Sequence, residues 1–142
     1  MISVLISSES RYPISRPKIR RKVKEILENV GIDEVEVSVM IVGDRKIRQL
    51  NRQFRQVDEV TDVLSFPLEE PRGEDGILRL GDIVISYPQA RKWALERNKL
   101  VDQVVLELIE HGLRHLLGIN HDNHFKFKIP TTKNWGIESK IG

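Results

Sequence analysis

His111-Gly112-Leu113-Arg114-His115-Leu116-Leu117-Gly118-Ile119-Asn120-His121 holds three of the chain's four histidines. It ends a helical pattern that begins near residue 101. Val104, Leu108, His111 and His115 follow one another at intervals of four, three and four, so they share one helix face. The two histidines thus continue an apolar seam. As i, i+4 neighbours their Cβ atoms lie roughly 5–6 Å apart, close enough to converge on one ion. Gly118 is expected to let the chain leave the helix near residue 117 in a left-handed conformation. Three residues on, His121 can swing back as a third ligand. Three neutral imidazoles leave a fourth position open, which is the hydrolytic kind of zinc site. Zn²⁺ held there would bring the pKa of its water down to about 7.

The composition points to the same place. The four histidines, His111, His115, His121 and His124, all fall between residues 111 and 124 of a 142-residue chain. Random scatter would do this about three times in a thousand, so the cluster asks for a reason. There is no cysteine, which excludes disulfide stapling and thiolate zinc fingers. A transition-metal site here must use imidazole and carboxylate, with Zn²⁺ the first choice. The cysteine-free composition fits a reducing cytoplasm. His124 reads as a surface histidine, or else as a weak fourth ligand.

The spacing matches the H-E-x-x-H-x-x-G-x-x-H pattern of zinc peptidases in all but one letter. Gly112 stands where those enzymes carry the glutamate that moves the proton. Glu110 precedes His111 and faces elsewhere on the helix, so it does not substitute. The sequence keeps the ligands and drops the peptidase's base.

Outward from this helix, strands and helices alternate. Residues 2–6 form a short apolar run, read as a strand. Ser15 and Pro17 open a helix with Ile19, Val23, Ile26, Leu27 and Val30 on one stripe, and Gly31 stops it. Val35, Val37, Val39 and Ile41 alternate with polar neighbours as in a half-buried strand. Asp44 is expected to cap a helix carrying Ile47, Leu50 and Phe54 inward. Residues 62–66 form a strand ended by Pro67, and residues 67–79 a Pro-, Gly- and acid-rich loop. Residues 82–85 form another strand. Ser86 and Gln89 make a capping box for a helix reaching about residue 98. One domain over residues 1–142 is expected, an α+β or α/β layer structure. Hydrophobic residues make up 39% and charged residues 31%, as in globular domains. No apolar run approaches a membrane span, and Met1-Ile2-Ser3-Val4-Leu5 lacks the basic start of a signal peptide.

Net charge is only +2, but it is unevenly placed. Residues 11–24 hold seven basic residues and no acid, and residues 45–55 hold five and no acid. Such segments suit a polyanion, or else form solvated helix faces.

Four stretches together resemble the YbeY family. His111 to His121 is similar to that family's H-G-x-L-H-L-x-G-Y-D-H. Leu50-Asn51-Arg52-Gln53-Phe54-Arg55 and Thr61-Asp62-Val63-Leu64-Ser65-Phe66-Pro67 resemble its L-N-x-x-[FY]-R and T-D-V-L-S-F-P. Leu80-Gly81-Asp82-Ile83-Val84-Ile85-Ser86 resembles its G-D-I-x-I-S. The order holds from about residue 35 to 122. The resemblance implies an α+β fold with a small mixed sheet of about four strands, and a zincin-like metal helix near the C-terminus. It implies a metal-dependent endoribonuclease of the bacterial cytoplasm. That enzyme would cut single-stranded RNA in maturation of the 16S ribosomal RNA 3′ end and in ribosome quality control. Carried over by position, the ligands are His111, His115 and His121, and the functional arginine is Arg55. Arg55 and His111 are then the residues expected to carry catalysis. RNA and the small ribosomal subunit are the implied partners, for a chain expected to be monomeric and free of membranes. A guanidinium can grip phosphate bidentately, and with a Lewis-acid ion it can stabilise the charge that develops on phosphate oxygens. Asp62 is expected either to orient a ligand or Arg55, or to sit as a polar residue at a strand edge. Thr61 and Ser65 are expected to be structural.

The chain departs from the family pattern at Arg114, at Asn120 and over residues 122–142, where a non-acidic tail replaces an acidic helix. Two further readings remain at this point. One is a zinc peptidase, supported by the ligand spacing and opposed by Gly112. The other is a non-catalytic RNA-binding factor of ribosome assembly, in which a metal only stabilises the fold.

Overall fold

Leu78, Leu80, Ile83 and Ile85 cannot all face one side of a regular strand, because side chains alternate. In the structure, a computed structural model that describes residues 1–68 and 73–120, they all join one core. The device is a bulge. β4 (Leu78–Ser86) pairs in parallel with β2 (Val35–Val42), and the register slips between Glu36–Arg79 and Ser38–Asp82. The extra residue sits at Gly81, whose φ is +133°. A Cβ there would collide with the carbonyl oxygen of Phe66, so only glycine fits. The slip returns Ile83 and Ile85 to the face already used by Leu78 and Leu80.

β1 (Ile2–Ser8) and β3 (Val63–Pro67) complete a mixed sheet in the order β1-β2-β4-β3. β1 runs parallel to β2, and β3 runs antiparallel to β4. The α+β fold with a four-stranded mixed sheet is therefore as expected. α1 (Arg16–Asn29) connects the parallel pair β1 and β2. Ser15 caps it through Lys18 N–H, and Gly31 ends it at φ +77°. The Gly31 and Ile32 N–H groups bond to the carbonyls of Glu28 and Leu27, the paired bonds of a Schellman turn.

α1, α3 (Tyr87–Arg97) and α4 (Val101–Asn120) cover one face and share the larger core. α2 (Asp44–Arg55) covers the other, where Ile47 packs with Val42, Leu64 and Val84. Among the described residues no helix is long and apolar enough to cross a membrane.

Four local expectations change. Gly43 is the N-cap of α2, and Asp44 is its first residue. The Asp44 carboxylate instead accepts from Ser86 Oγ at 2.7 Å and Gln89 Nε2 at 3.2 Å, tying α2 to the start of α3. Ser86 does cap α3 through Gln89 N–H, but the Gln89 side chain answers to Asp44, so the box is not reciprocal. Phe54 does not point fully inward. It lies tilted against Phe66 with centroids 5.2 Å apart, while Asn51 takes the buried place on α2. The expected exit at Gly118 does not occur, and α4 runs on through Asn120. Glycine permits a left-handed exit without compelling it. The buried pair Leu116 and Leu117 holds this turn against the core at more than the ~1 kcal/mol that helical glycine costs.

Candidate metal and catalytic site

α4 lies against β3 and β4, and one residue sets how closely. A Cβ on Gly112 would stand 2.9 Å from Ile83 Cγ2 and 3.6 Å from Val63 Cγ2. The bare glycine lets the helix settle onto the strands. One turn later His115 is buried and meets a polar atom in the apolar sheet: Ser65 Oγ is 2.8 Å from His115 Nδ1. Ser65 follows Val63 by two residues on β3, so both side chains face α4. With Nδ1–H donating to the Ser65 hydroxyl oxygen, the lone pair at Nε2 is free for a metal ion. This is how a second residue orients a ligand histidine.

Ser65 is thus more than the structural residue expected. A buried hydroxyl alternating with core valine was the available signal, since such a group must find a partner. The partner's place, fifty residues away, was not readable.

Burial, helped by the neighbouring charge of His111, pushes the His115 pKa down from 6.5 to about 4. His115 is therefore neutral at pH 7, as a ligand must be, and no proton has to leave before a metal binds. The same shift gives a stability prediction for the metal-free protein. Above pH 6.5 His115 is neutral folded or unfolded, and stability is at its full value. Below 6.5 the unfolded chain takes up the proton first, so stability falls until about pH 4. The loss should approach ~3 kcal/mol. Urea unfolding in chelator across this range checks it, with His115→Gln expected to flatten the profile.

His111 is exposed at the rim, one turn before His115 on the same face. It ends the seam as an open position, while Val104 and Leu108 are buried as expected. Glu110 is engaged elsewhere. Arg114 Nη2 lies 2.8 Å from Glu110 Oε2, and Lys22 Nζ lies 3.0 Å from Oε1. These bonds hold the Glu110 carboxyl below its usual range, Arg114 contributing most. Arg114, a departure from the family pattern, is exposed and clamps this acid on the surface of α4.

Arg55 is half-buried at the C-terminal end of α2, with Nη1 3.2 Å from Asn51 Oδ1. Asn51 is buried, and its Nδ2 donates to the Glu59 carbonyl at 3.0 Å, fixing the turn that leads to β3. Asp62 is buried directly before β3, and its Oδ1 accepts from Val63 N–H at 2.8 Å. Thr61 Oγ1 lies 3.5 Å from the same oxygen. The Ser86 N–H bonds to the Asp62 carbonyl at 2.9 Å, which joins this corner to β4.

The two basic segments differ. On α1, Lys18 pairs with Asp102 and Lys22 with Glu110, both on α4, so part of that charge is used in holding helices together. On α2, Arg45, Arg48 and Arg52 are exposed, and Arg48 pairs with Asp58.

The structure brings together His111, His115 and Ser65. His121, His124 and residues 122–142 lie outside the described residues, and no group of three metal-binding side chains occurs among those described. The donors present fit a borderline cation such as Zn²⁺: one neutral, oriented imidazole, and a second one turn away.

The comparisons with known proteins agree with this architecture. A family model described as Endoribonuclease YbeY matches residues 5–139. An endoribonuclease YbeY of Persephonella marina is 39% identical over 127 residues, covering 89% of this chain and 83% of the relative. One from Thermus thermophilus is 43% identical over 105 residues, covering 74% and 76%. The solution structure of TM1509 from Thermotoga maritima matches with a TM-score of 0.59 at 32% identity, covering 81% of this chain and 72% of that one. The chain belongs to the Endoribonuclease YbeY family.

Proposed function

We propose that this protein is a metal-dependent endoribonuclease that cuts single-stranded RNA. His111, His115 and His121 would hold one Zn²⁺. The single observation that supports the reading best is the buried, neutral His115 with Nδ1 engaged by Ser65, one turn from His111, in a chain of this family. A Zn²⁺ ion held by these residues would supply Lewis acidity for phosphodiester cleavage.

The remaining work falls to the chain. Ser65 keeps the His115 ring in one orientation. Arg55, steadied by Asn51, would hold a non-bridging phosphate oxygen as negative charge grows on it. The positive face of α2 would retain the strand on either side of the cut. The substrate would be ribosomal RNA of the small subunit in the cytoplasm, with roles in 3′-end maturation and ribosome quality control, as the motif resemblance implies.

The test is cleavage of labelled single-stranded RNA by purified protein. Arg55→Ala should lower kcat about a hundredfold, and Arg55→Lys should restore little, because lysine lacks the two-pronged grip. Equal rates from Arg55→Ala and wild type would overturn the role of Arg55. RNA binding with no turnover, unchanged by chelator, would make the protein an assembly factor instead.

A further inference from the structure

Arg45, Arg48, Arg52 and Arg55 recur along α2 at intervals of three, four and three, forming one stripe. Arg45, Arg48, Gln49 and Arg52 line a surface hollow of about 410 Å³ with Asp58. Arg48 lays its fork on that carboxylate: Nε lies 2.8 Å from Oδ1 and Nη2 3.3 Å from Oδ2. A guanidinium takes a phosphate in the same two-pronged way. The bond from Arg48, above all, and the charge of Arg52 hold the Asp58 carboxyl below its usual range. Asp58 is therefore an anion seated in a basic hollow, in a place a phosphate would suit. Both partners are about half exposed, so the pair is screened and readily exchanged.

We propose that this hollow is a phosphate subsite for the RNA strand, in which a backbone phosphate displaces Asp58 from Arg48 and the arginine stripe leads the strand to Arg55. The inference rests on the endoribonuclease reading and extends it beyond the reacting phosphate. Both basic segments carry ion pairs, but those of α1 tie it to α4, whereas the Arg48–Asp58 pair lies in the hollow itself. Asp58 has two effects. It keeps the Arg48 fork ordered when RNA is absent, and it competes with RNA for that fork.

The test measures binding apart from cleavage. The full chain carrying His111→Ala is titrated with a fluorescein-labelled single-stranded oligoribonucleotide, and anisotropy is followed at several salt concentrations. Adding Arg48→Ala with Arg52→Ala should weaken binding about tenfold. It should also flatten the slope of log K against log salt by about 1.4, since a single strand releases roughly 0.7 counterion per phosphate contact. Asp58→Asn should tighten binding about two- to threefold by removing the competitor. Arg20→Ala with Arg21→Ala removes the same charge from α1 and should change binding less. An equal effect from the α1 pair, or an Asp58→Asn protein that binds no tighter, would overturn the subsite. These readouts stand even if the wild-type protein cuts no RNA, so failure of the subsite and failure of the enzyme reading are distinguishable.

Discussion

Replacing His111 by Ala is expected to lower RNA cleavage by a factor on the order of a thousand while leaving the fold intact. The two halves of that statement have separate grounds. His111 is exposed, so its truncation removes little packing, and stability should move by no more than about 0.5 kcal/mol. Yet it is the one described histidine that shares the face of His115 one turn away, so its loss removes one of three proposed ligands. Unchanged thermal melting with cleavage near background is the expected pair of results. His115→Ala should lose activity as well, but there a cavity and an unpaired Ser65 hydroxyl cloud the interpretation. A folded His111→Ala protein that cuts RNA at the wild-type rate would remove His111 from the site.

Gly112→Glu should have the largest effect on stability. The change writes the peptidase pattern H-E-x-x-H into the chain, and the expected product is a protein that does not fold, with no peptidase activity. A side chain at 112 meets Ile83 Cγ2 at 2.9 Å and Cγ1 at 3.4 Å, and both belong to a branched residue fixed in the sheet. Overpacking of this kind costs about 1–3 kcal/mol. A carboxylate pressed into the core adds several more, for a total of about 4 kcal/mol or greater. That approaches the whole stability of an ordinary domain. Gly112→Ala separates the contributions. It gains up to ~1 kcal/mol of helix propensity and loses more to the contact, so a small net destabilisation is expected. Urea unfolding measures both. Soluble, folded Gly112→Glu protein with chelator-sensitive casein hydrolysis would revive the peptidase reading. Gly112 is thus a packing residue, and the missing glutamate has a structural cause.

Long periodic segments were legible in the sequence because their patterns are repeated many times over. The valine alternation of β2 and the apolar stripes of α1 and α4 each rest on several residues. The Schellman stop at Gly31 was legible for another reason: glycine follows the last apolar position directly. Single-residue devices were not legible. The bulge at Gly81 adds one residue to β4 and reverses the faces that follow, and its cause is a carbonyl on the neighbouring strand. Gly118 carries the same letter as Gly31, yet α4 continues through it, because the buried leucines before it outweigh the local preference. Asp44 reads as a cap, but its partners Ser86 and Gln89 are about forty residues away.

The candidate site divides along the same line. Spacing on α4 is enough to put His111 and His115 on one face. Ser65 needs the docking of α4 on β3, which depends on Gly112 having no side chain. Charge counts alone treated residues 11–24 and 45–55 alike, whereas ion pairs across the helix interface distinguish them.

On the proposed function, RNA cleavage depends on one Zn²⁺ held by histidines. The direct measurement is zinc content and RNA cleavage rate followed together, as chelated full-length protein is titrated with Zn²⁺. Both should rise in step and level off at one equivalent, and His111→Ala should neither retain the ion nor regain the activity. Full cleavage by zinc-free protein, or one tightly held equivalent with no cleavage of any single-stranded RNA, would contradict it.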